Sequence, residues 1–287
     1  MKLTQGKLID TINKKNKGWT TYQARKISGI SIRRVNQVYN QYLLTEQIPE
    51  IGKKNGRPVK PIQDWEINVV KESYEKYKVS ADTLEKFIEK DYSKHIGHNR
   101  IHRILLMLDY SKKKGKIDVR NKKWIRYERR HSLTAVHIDW HYDSRRQIWV
   151  FAVLDDASRK LLALVECEHA TTEQSIYGMG LAMQHDKIKQ CICDHGTQFI
   201  KREGMECSFK DFLDDNGIKQ ILCRIKHPQS NGKVEKFFDL YHNKRHMFET
   251  KESFVDWYNE IRPHRSLNFE ILETPSQAFV RKIKAEV

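Results

Sequence analysis

Three carboxylates stand out by where they fall in the chain. Asp139 sits inside the apolar run Ala135–Trp140, Asp194 closes Cys191-Ile192-Cys193, and Glu235 follows Asn231-Gly232 in a stretch of helical spacing. Each lies on or just beyond a segment that reads as regular structure, near basic residues without being paired to one. Carboxylates on rigid elements offer hard oxygen ligands, the set needed to hold two divalent cations against a phosphodiester. Gathered in one pocket they repel each other, and a dication both neutralises and orders them. The chemistry these residues point to is phosphoryl transfer on a polynucleotide.

Such a site needs strands and a helix to carry it, and the second half of the chain supplies them. Thr134–His141, Gln147–Leu154 and Leu161–Cys167 are apolar runs separated by the polar turns Asp143–Arg146 and Asp155–Arg159, which predicts a three-stranded antiparallel meander. A helix over Thr172–Gln184, a strand over Lys189–Asp194, a helix over Phe209–Asn216, a short strand over Lys219–Cys223 and a helix over Gly232–Met247 follow. The expected fold class is α/β, a mixed five-stranded sheet covered by helices. Asp155 and Asp156 are explained by turn chemistry and are not read as ligands.

The first half of the chain reads as all-α. Gln23–Ser28 and a longer helix from Ser31 to about Tyr42 flank Gly29, and Ile32, Val35, Tyr39 and Tyr42 follow helical spacing. Arg33, Arg34, Asn36 and Gln37 are left outward, side-chain types that pair with guanine and adenine edges, so residues 1–50 are expected to be a helix-turn-helix DNA-binding domain. Lys53–Pro61, with Gly56, Arg57 and Pro58, has the composition of a basic linker, assigned to residues 51–63. Residues 64–110 repeat the helical theme with Asn99, Arg100 and Arg103 on a polar face, and a second helix-turn-helix domain is expected there. Residues 111–130 hold ten basic and two acidic residues and read as a second basic linker in contact with nucleic-acid backbone. The core is assigned to residues 131–250 and a helical extension to 251–287.

The order of elements, with Asp in the first strand, Asp after the fourth and Glu on a late helix, resembles the ribonuclease H-like catalytic core of retroviral integrases and DDE insertion-sequence transposases. The resemblance covers about residues 131–280. Asp194-His195-Gly196-Thr197-Gln198-Phe199 is similar to that family's D-x-G-x-x-F, and Pro228-Gln229-Ser230-Asn231-Gly232-Lys233-Val234-Glu235 to its P-x-S-N-G-x-x-E. Trp257-Tyr258-Asn259, Arg262-Pro263-His264 and Thr274-Pro275 resemble the closing motif of its bacterial and archaeal transposases. The resemblance implies an RNase H-like fold and two Mg²⁺ or Mn²⁺ ions held by Asp139, Asp194 and Glu235. It further implies cutting at element ends bound through terminal inverted repeats, and joining of the freed 3′-hydroxyls to target DNA. A homodimer or higher assembly on double-stranded DNA is expected with it. Related enzymes often carry Lys or Arg two helical turns after the Glu, where this chain has His242; Lys233, Lys236, Lys244 and Arg245 are the nearby candidates for DNA contact. Two other classes stay open at this point: a helix-turn-helix DNA-binding protein without catalysis, and a ribonuclease acting on RNA–DNA hybrids.

Strand alternation puts His137 and His141 on the face of Asp139. Magnesium-type ions prefer oxygen, so packing or hydrogen bonding behind the carboxylate is the expected role. Asn231 reads as a helix start.

Charge agrees with a polyanion partner. Residues 1–130 carry 31 Lys and Arg against 14 Asp and Glu, a net of +17, and residues 131–287 carry 22 against 23, a net of −1. The basic half lacks the broad apolar face of a membrane-surface helix, and no apolar run approaches a membrane span. The five cysteines are odd in number and lie in apolar segments; Cys191-Ile192-Cys193 lacks the spacing of a zinc site, and reduced structural thiols are expected. The expected location is cytoplasmic and nucleoid-associated.

Overall fold

The protein is described by a computed structural model over residues 3–52, 60–112, 127–200, 209–223 and 231–283. It divides into two compact units, residues 1–61 and 62–287.

The first unit is built from α1 (Gln5–Asn16), α2 (Thr21–Ser28) and α3 (Ile32–Thr45). Its small core joins Leu8 and Ile12 of α1 to Val38 of α3. Helix α1 was not legible as an element, although Thr4 caps it by accepting from the Lys7 amide. A capping box of Thr20 and Gln23 starts α2, and Gly29 in the left-handed region (φ 69°) ends it. The buried stripe of α3 is Val35 and Val38, not the expected set led by Ile32, which is exposed. The phase shift is small and leaves Arg33, Arg34, Asn36 and Gln37 on the outside.

The second unit contains a five-stranded sheet in the order β3-β2-β1-β4-β5, formed by β1 (Val136–Asp143), β2 (Ile148–Asp155), β3 (Leu161–Cys167), β4 (Gln190–Cys193) and β5 (Lys219–Leu222). The first three strands pair antiparallel, while β4 runs parallel to both β1 and β5. This is the mixed sheet the patterning predicts, and the fold is RNase H-like. Alternation along β2 divides two apolar layers. Phe151 and Val153 face α7 (Thr172–Met183) and α8 (Phe209–Asp215), whereas Val150, Ala152 and Leu154 join the layer of α9 (Gly232–Lys244) and α10 (Lys251–Asp256). Gly178 of α7 has no room for a Cβ against the Phe151 ring, so this helix lies tight on the sheet.

Helices α4 (Asp64–Tyr77), α5 (Ala81–Tyr92) and α6 (His98–Met107) depart from the expected domain plan. They belong to the same compact unit as the sheet, and Val70, Leu84, Ile88, Ile101 and Ile104 are continuous with the apolar layer of Phe237, Tyr241 and Trp257. Polar links reinforce the join. The Trp257 indole donates to the Tyr77 carbonyl at 2.7 Å, and Lys86 pairs with Glu270 at 2.8 Å. The boundaries expected at 110 and 131 therefore do not separate folding units. Likewise, the expected C-terminal extension is part of the core: Asn259 brackets Leu161 of β3 by donating to its carbonyl and accepting from its amide. Finally α11 (Pro275–Lys282), with Pro275 at its first turn and Thr274 capping it, presents Phe279 to the layer of α7 and α8. Among the described residues, no helix is long and apolar enough to cross a membrane.

Candidate active site

The parallel pairing of β1 with β4 brings the first two carboxylates together. His137 lies opposite Ile192 in that ladder, two residues before Asp139 and Asp194 respectively, so both aspartates leave neighbouring strands at the same level. Glu235 stands in the first turn of α9, which packs on β1. Asp139 and Glu235 line one cleft of about 410 Å³ with His141, Phe238, Asp239 and His242.

Asp139 is half-buried, and its carboxyl is pushed up to about 7 by burial first, then by Asp194 and Glu235. Two donors hold it in place: the Trp140 amide to Oδ1 at 2.8 Å, and the Asn231 side-chain amide to Oδ2 at 3.1 Å. Asp194 is fixed differently, by the Gly196 amide at 2.8 Å. A Cβ at residue 196 would meet Asp194 Oδ1 at 2.9 Å, so the turn that donates this amide has room only for glycine. The adjacent His195 ties the loop to the end of β5 through the Cys223 carbonyl at 2.8 Å. Among the described residues none of the three carboxylates pairs with Lys or Arg.

Behind Asp139 lies a second carboxylate with the opposite environment. Asp156 is fully buried, accepts from His137 at 2.7 Å and from the Arg129 amide at 2.6 Å, and is paired with Lys233. These donors outweigh burial and hold its carboxyl well below the usual range. The other nitrogen of His137 meets Asn231 Oδ1 at 3.2 Å, while the Asn231 amide nitrogen donates to the Ile138 carbonyl and to Asp139. Asn231 thus presents its oxygen to the ring and its amide nitrogen to Asp139. A continuous buried chain runs from Lys233 through Asp156, His137 and Asn231 to Asp139. Sequence reading missed Asp156, and it placed Asn231 at a helix start, where it stands, without foreseeing its link to His137 and Asp139. The signal available was only the i, i+2 placement of His137 and Asp139 on one strand face.

The expected basic contacts fall into three groups. Arg33, Arg34, Asn36 and Gln37 are exposed on α3, with Thr21 bonded to Asn36 and Arg34 to Gln37. Asn99, Arg103 and Lys236 also sit on helix surfaces, Lys236 pairing with Asp239 at 3.0 Å. Four others are turned inward by partners that one sequence does not reveal. Arg100 binds Glu66 through two nitrogens, and Arg245 binds Glu166 at 2.9 Å and the Phe248 carbonyl at 2.8 Å. Lys233 is drawn to Asp156, and Lys244 donates to the Tyr74 hydroxyl at 2.9 Å. Their DNA-contact assignment gives way to a structural one for Arg100, Arg245 and Lys233. His242 does line the carboxylate cleft, edge-on to His141 at 6.2 Å between ring centroids. Arg57, Pro228, Gln229 and Ser230 lie outside the described residues.

The donor set suits a hard cation in kind: three oxygen ligands without basic partners, one of them raised by the other two. Among the described residues, however, no three His, Cys, Asp or Glu side chains are gathered closely enough to hold a metal ion. Cys191 and Cys193 are free, buried thiols whose acidity is suppressed by burial, Cys193 to about 12.

Residues 129–228 match the family model described as the integrase core domain. Over this segment the chain is similar to an integrase core domain. A putative integrase, ORF3, of Spiroplasma virus SpV1-C74 is 28% identical over 149 residues, 44% of this chain and 41% of that protein. An uncharacterized protein of Archaeoglobus fulgidus is 32% identical over 84 residues, 29% of this chain and 64% of its own length. The chain thus spans less than two thirds of either relative. Among solved structures, the simian T-cell lymphotropic virus intasome in complex with PP2A regulatory subunit B56 gamma aligns at 12% identity over 74% of each chain, with a TM-score of 0.44. Integrase core domains serve DNA integration and transposition as polynucleotidyl transferases, and generally use divalent metals.

Proposed function

We propose that the chain is an insertion-sequence transposase of the DDE class, with Asp139, Asp194 and Glu235 as its catalytic carboxylates. The observation that carries this reading is the state of Asp139. A carboxyl pushed up to about 7 by burial and two like charges, inside an integrase core domain, marks a site built to receive a cation. The three carboxylates would hold two Mg²⁺ or Mn²⁺ ions, which when bound activate a water or a 3′-hydroxyl and stabilise the leaving oxygen.

The remaining work falls to the chain's own groups. The Trp140 amide and Asn231 fix both oxygens of Asp139, and the Gly196 amide fixes Asp194, so the ligands approach their positions before DNA arrives. The rings of His141 and Phe238, stacked with centroids 5.0 Å apart, floor the cleft and limit water there. His242, seven residues after Glu235 on the same helix face, is the donor aimed at a terminal phosphate. In this reading the outward residues of α3 read the terminal inverted repeats as part of a helix-turn-helix, and two or more copies assemble on paired DNA ends.

The test is strand transfer of a labelled duplex carrying the DNA that flanks the gene, with Mg²⁺ or Mn²⁺, beside Asp139→Ala, Asp194→Ala and Glu235→Ala. Joining by the parent and by none of the variants is the expected result. A parent that binds the duplex yet never joins it under either metal would leave only the DNA-binding reading.

A further inference from the structure

A second, larger cleft of about 1030 Å³ lies within the second unit, between α5 and α6 on one side and the end of α9 and the Arg262-Pro263 turn on the other. Its lining carries five cations that no carboxylate pairs among the described residues: Lys78, Lys112, Arg145, Lys244 and Arg262. The lining also holds Asp82, which is taken by Arg265, and Asp109. Counting six Lys and Arg against two Asp leaves the cleft at +4.

Two of these cations are buried enough for the imbalance to matter. The Arg262 guanidinium sits over the Tyr258 ring at 5.5 Å, and its Nη1 is shielded from solvent with no hydrogen-bond partner among the described residues. Lys244 gives one proton to the Tyr74 hydroxyl and lies over that ring at 5.0 Å, which leaves two protons without an acceptor. Burial, then Lys78 and Arg262, lowers Lys244 to about 8. The same positive field acts on His246, lowered by burial and then by Arg145 and Lys244. Elsewhere in this unit inward-turned cations are matched: Arg245 by Glu166, Lys233 by Asp156, Arg100 by Glu66. Unmatched charge of one sign in a partly desolvated groove is unfavourable in the free protein and favours an anionic ligand.

We infer that this cleft, which meets the carboxylate cleft at Asn243, binds the phosphate backbone of duplex DNA without reading bases. The inference rests on the proposed transposase reading for the presence of DNA. The groove is lined from several helices, which suits a chain of phosphates, each met by a Lys or Arg and releasing its counterion.

The experiment is lysine acylation of the full chain at pH 7.5, read residue by residue by mass spectrometry, without ligand and with a saturating 20-base-pair duplex. Expected is a several-fold fall in labelling at Lys78, Lys112 and Lys244 with the duplex. Inorganic phosphate at matched ionic strength should leave it unchanged. Lys78→Gln with Lys112→Gln should reduce the slope of log affinity against log salt by about 0.9 for each phosphate that is no longer neutralised. Unchanged labelling of these three lysines while lysines elsewhere are protected would overturn the inference and leave the transposase reading standing. Equal protection by inorganic phosphate would make the cleft a small-anion site, and protection by polyglutamate but not by the duplex would make it a protein-docking groove; either result also overturns it. If no lysine anywhere in the chain is protected, the DNA reading falls together with this one.

Discussion

Asp139 lies on β1 and Asp156 in the turn just after β2, both withdrawn from water, and burial pushes both upward. At Asp156 a histidine, a lysine and a backbone amide reverse the effect. At Asp139 two donors are opposed by two like charges, and the carboxyl ends near 7. Burial does not distinguish these two acids; compensation does. Where every charge is answered from within the chain, the group stabilises the fold. Where charge is left unanswered, the fold bears a cost that a ligand can remove.

The largest expected effect comes from breaking the compensated member. Asp156→Ala should destabilise the protein by about 3–5 kcal/mol, because His137 and Lys233 lose the anion between them. Urea unfolding of the variant checks this, and a loss below about 1 kcal/mol would show that the hub is not what holds β1 to α9.

Filling the uncompensated site should act in the opposite direction. At pH 8, Mg²⁺ at about a hundred times its dissociation constant should stabilise the parent by about 2.7 kcal/mol through mass action alone. Thermal unfolding with and without Mg²⁺ measures it, and a shift that survives in Asp139→Ala would place the ion elsewhere.

Asp139→Asn should raise stability with no metal present, and the pH dependence fixes the sign. The folded carboxyl titrates near 7 and the unfolded one near its ordinary value, about 4. Between these the folded state holds the extra proton, so stability falls as pH rises from about 4 to 7 and stays at its lowered level above. The Asn variant should therefore gain on the order of 2 kcal/mol over the parent at pH 8 and almost nothing at pH 4. An equal gain at both pH values would reject a carboxyl raised by burial and like charge.

Asn231→Ala is expected to cost about 1–3 kcal/mol, since it removes the link between His137 and Asp139 and takes a donor from the Ile138 carbonyl and from Asp139. Smallest of all is Lys236→Ala. Its exposed pair with Asp239 should contribute less than about 1 kcal/mol, measured in the same unfolding assay.

The sheet was legible because its strands are local patterns: apolar runs, turn residues between them, and a helix wherever the spacing changed from two to near four. The carboxylates were legible because each sits on or just beyond such a run. What was not legible depends on partners far along the chain. Lys233 and Arg245 look like surface charge beside Glu235 until Asp156 and Glu166 arrive from β2 and β3, some 80 residues away. Asp156 itself has a turn residue's sequence context, and only the tertiary fold delivers the donors that make it a buried hub. The helices of residues 64–107 show a polar face and an apolar stripe as any small domain would, and the apolar partners they need lie beyond residue 230.

The indole of Trp257 reaching the carbonyl of Tyr77 bears on how this protein can be inherited and edited. The integrase core domain, read as residues 129–228, suggests a cassette that could be exchanged with its counterparts. Here the chain's later helices share one apolar layer with segments that precede the cassette, so a graft at residue 129 would strip that layer of the packing supplied by Val70, Leu84 and Ile88. Recombination that respects this architecture must carry residues 62–283 as a single heritable block, with its natural boundary near residue 61.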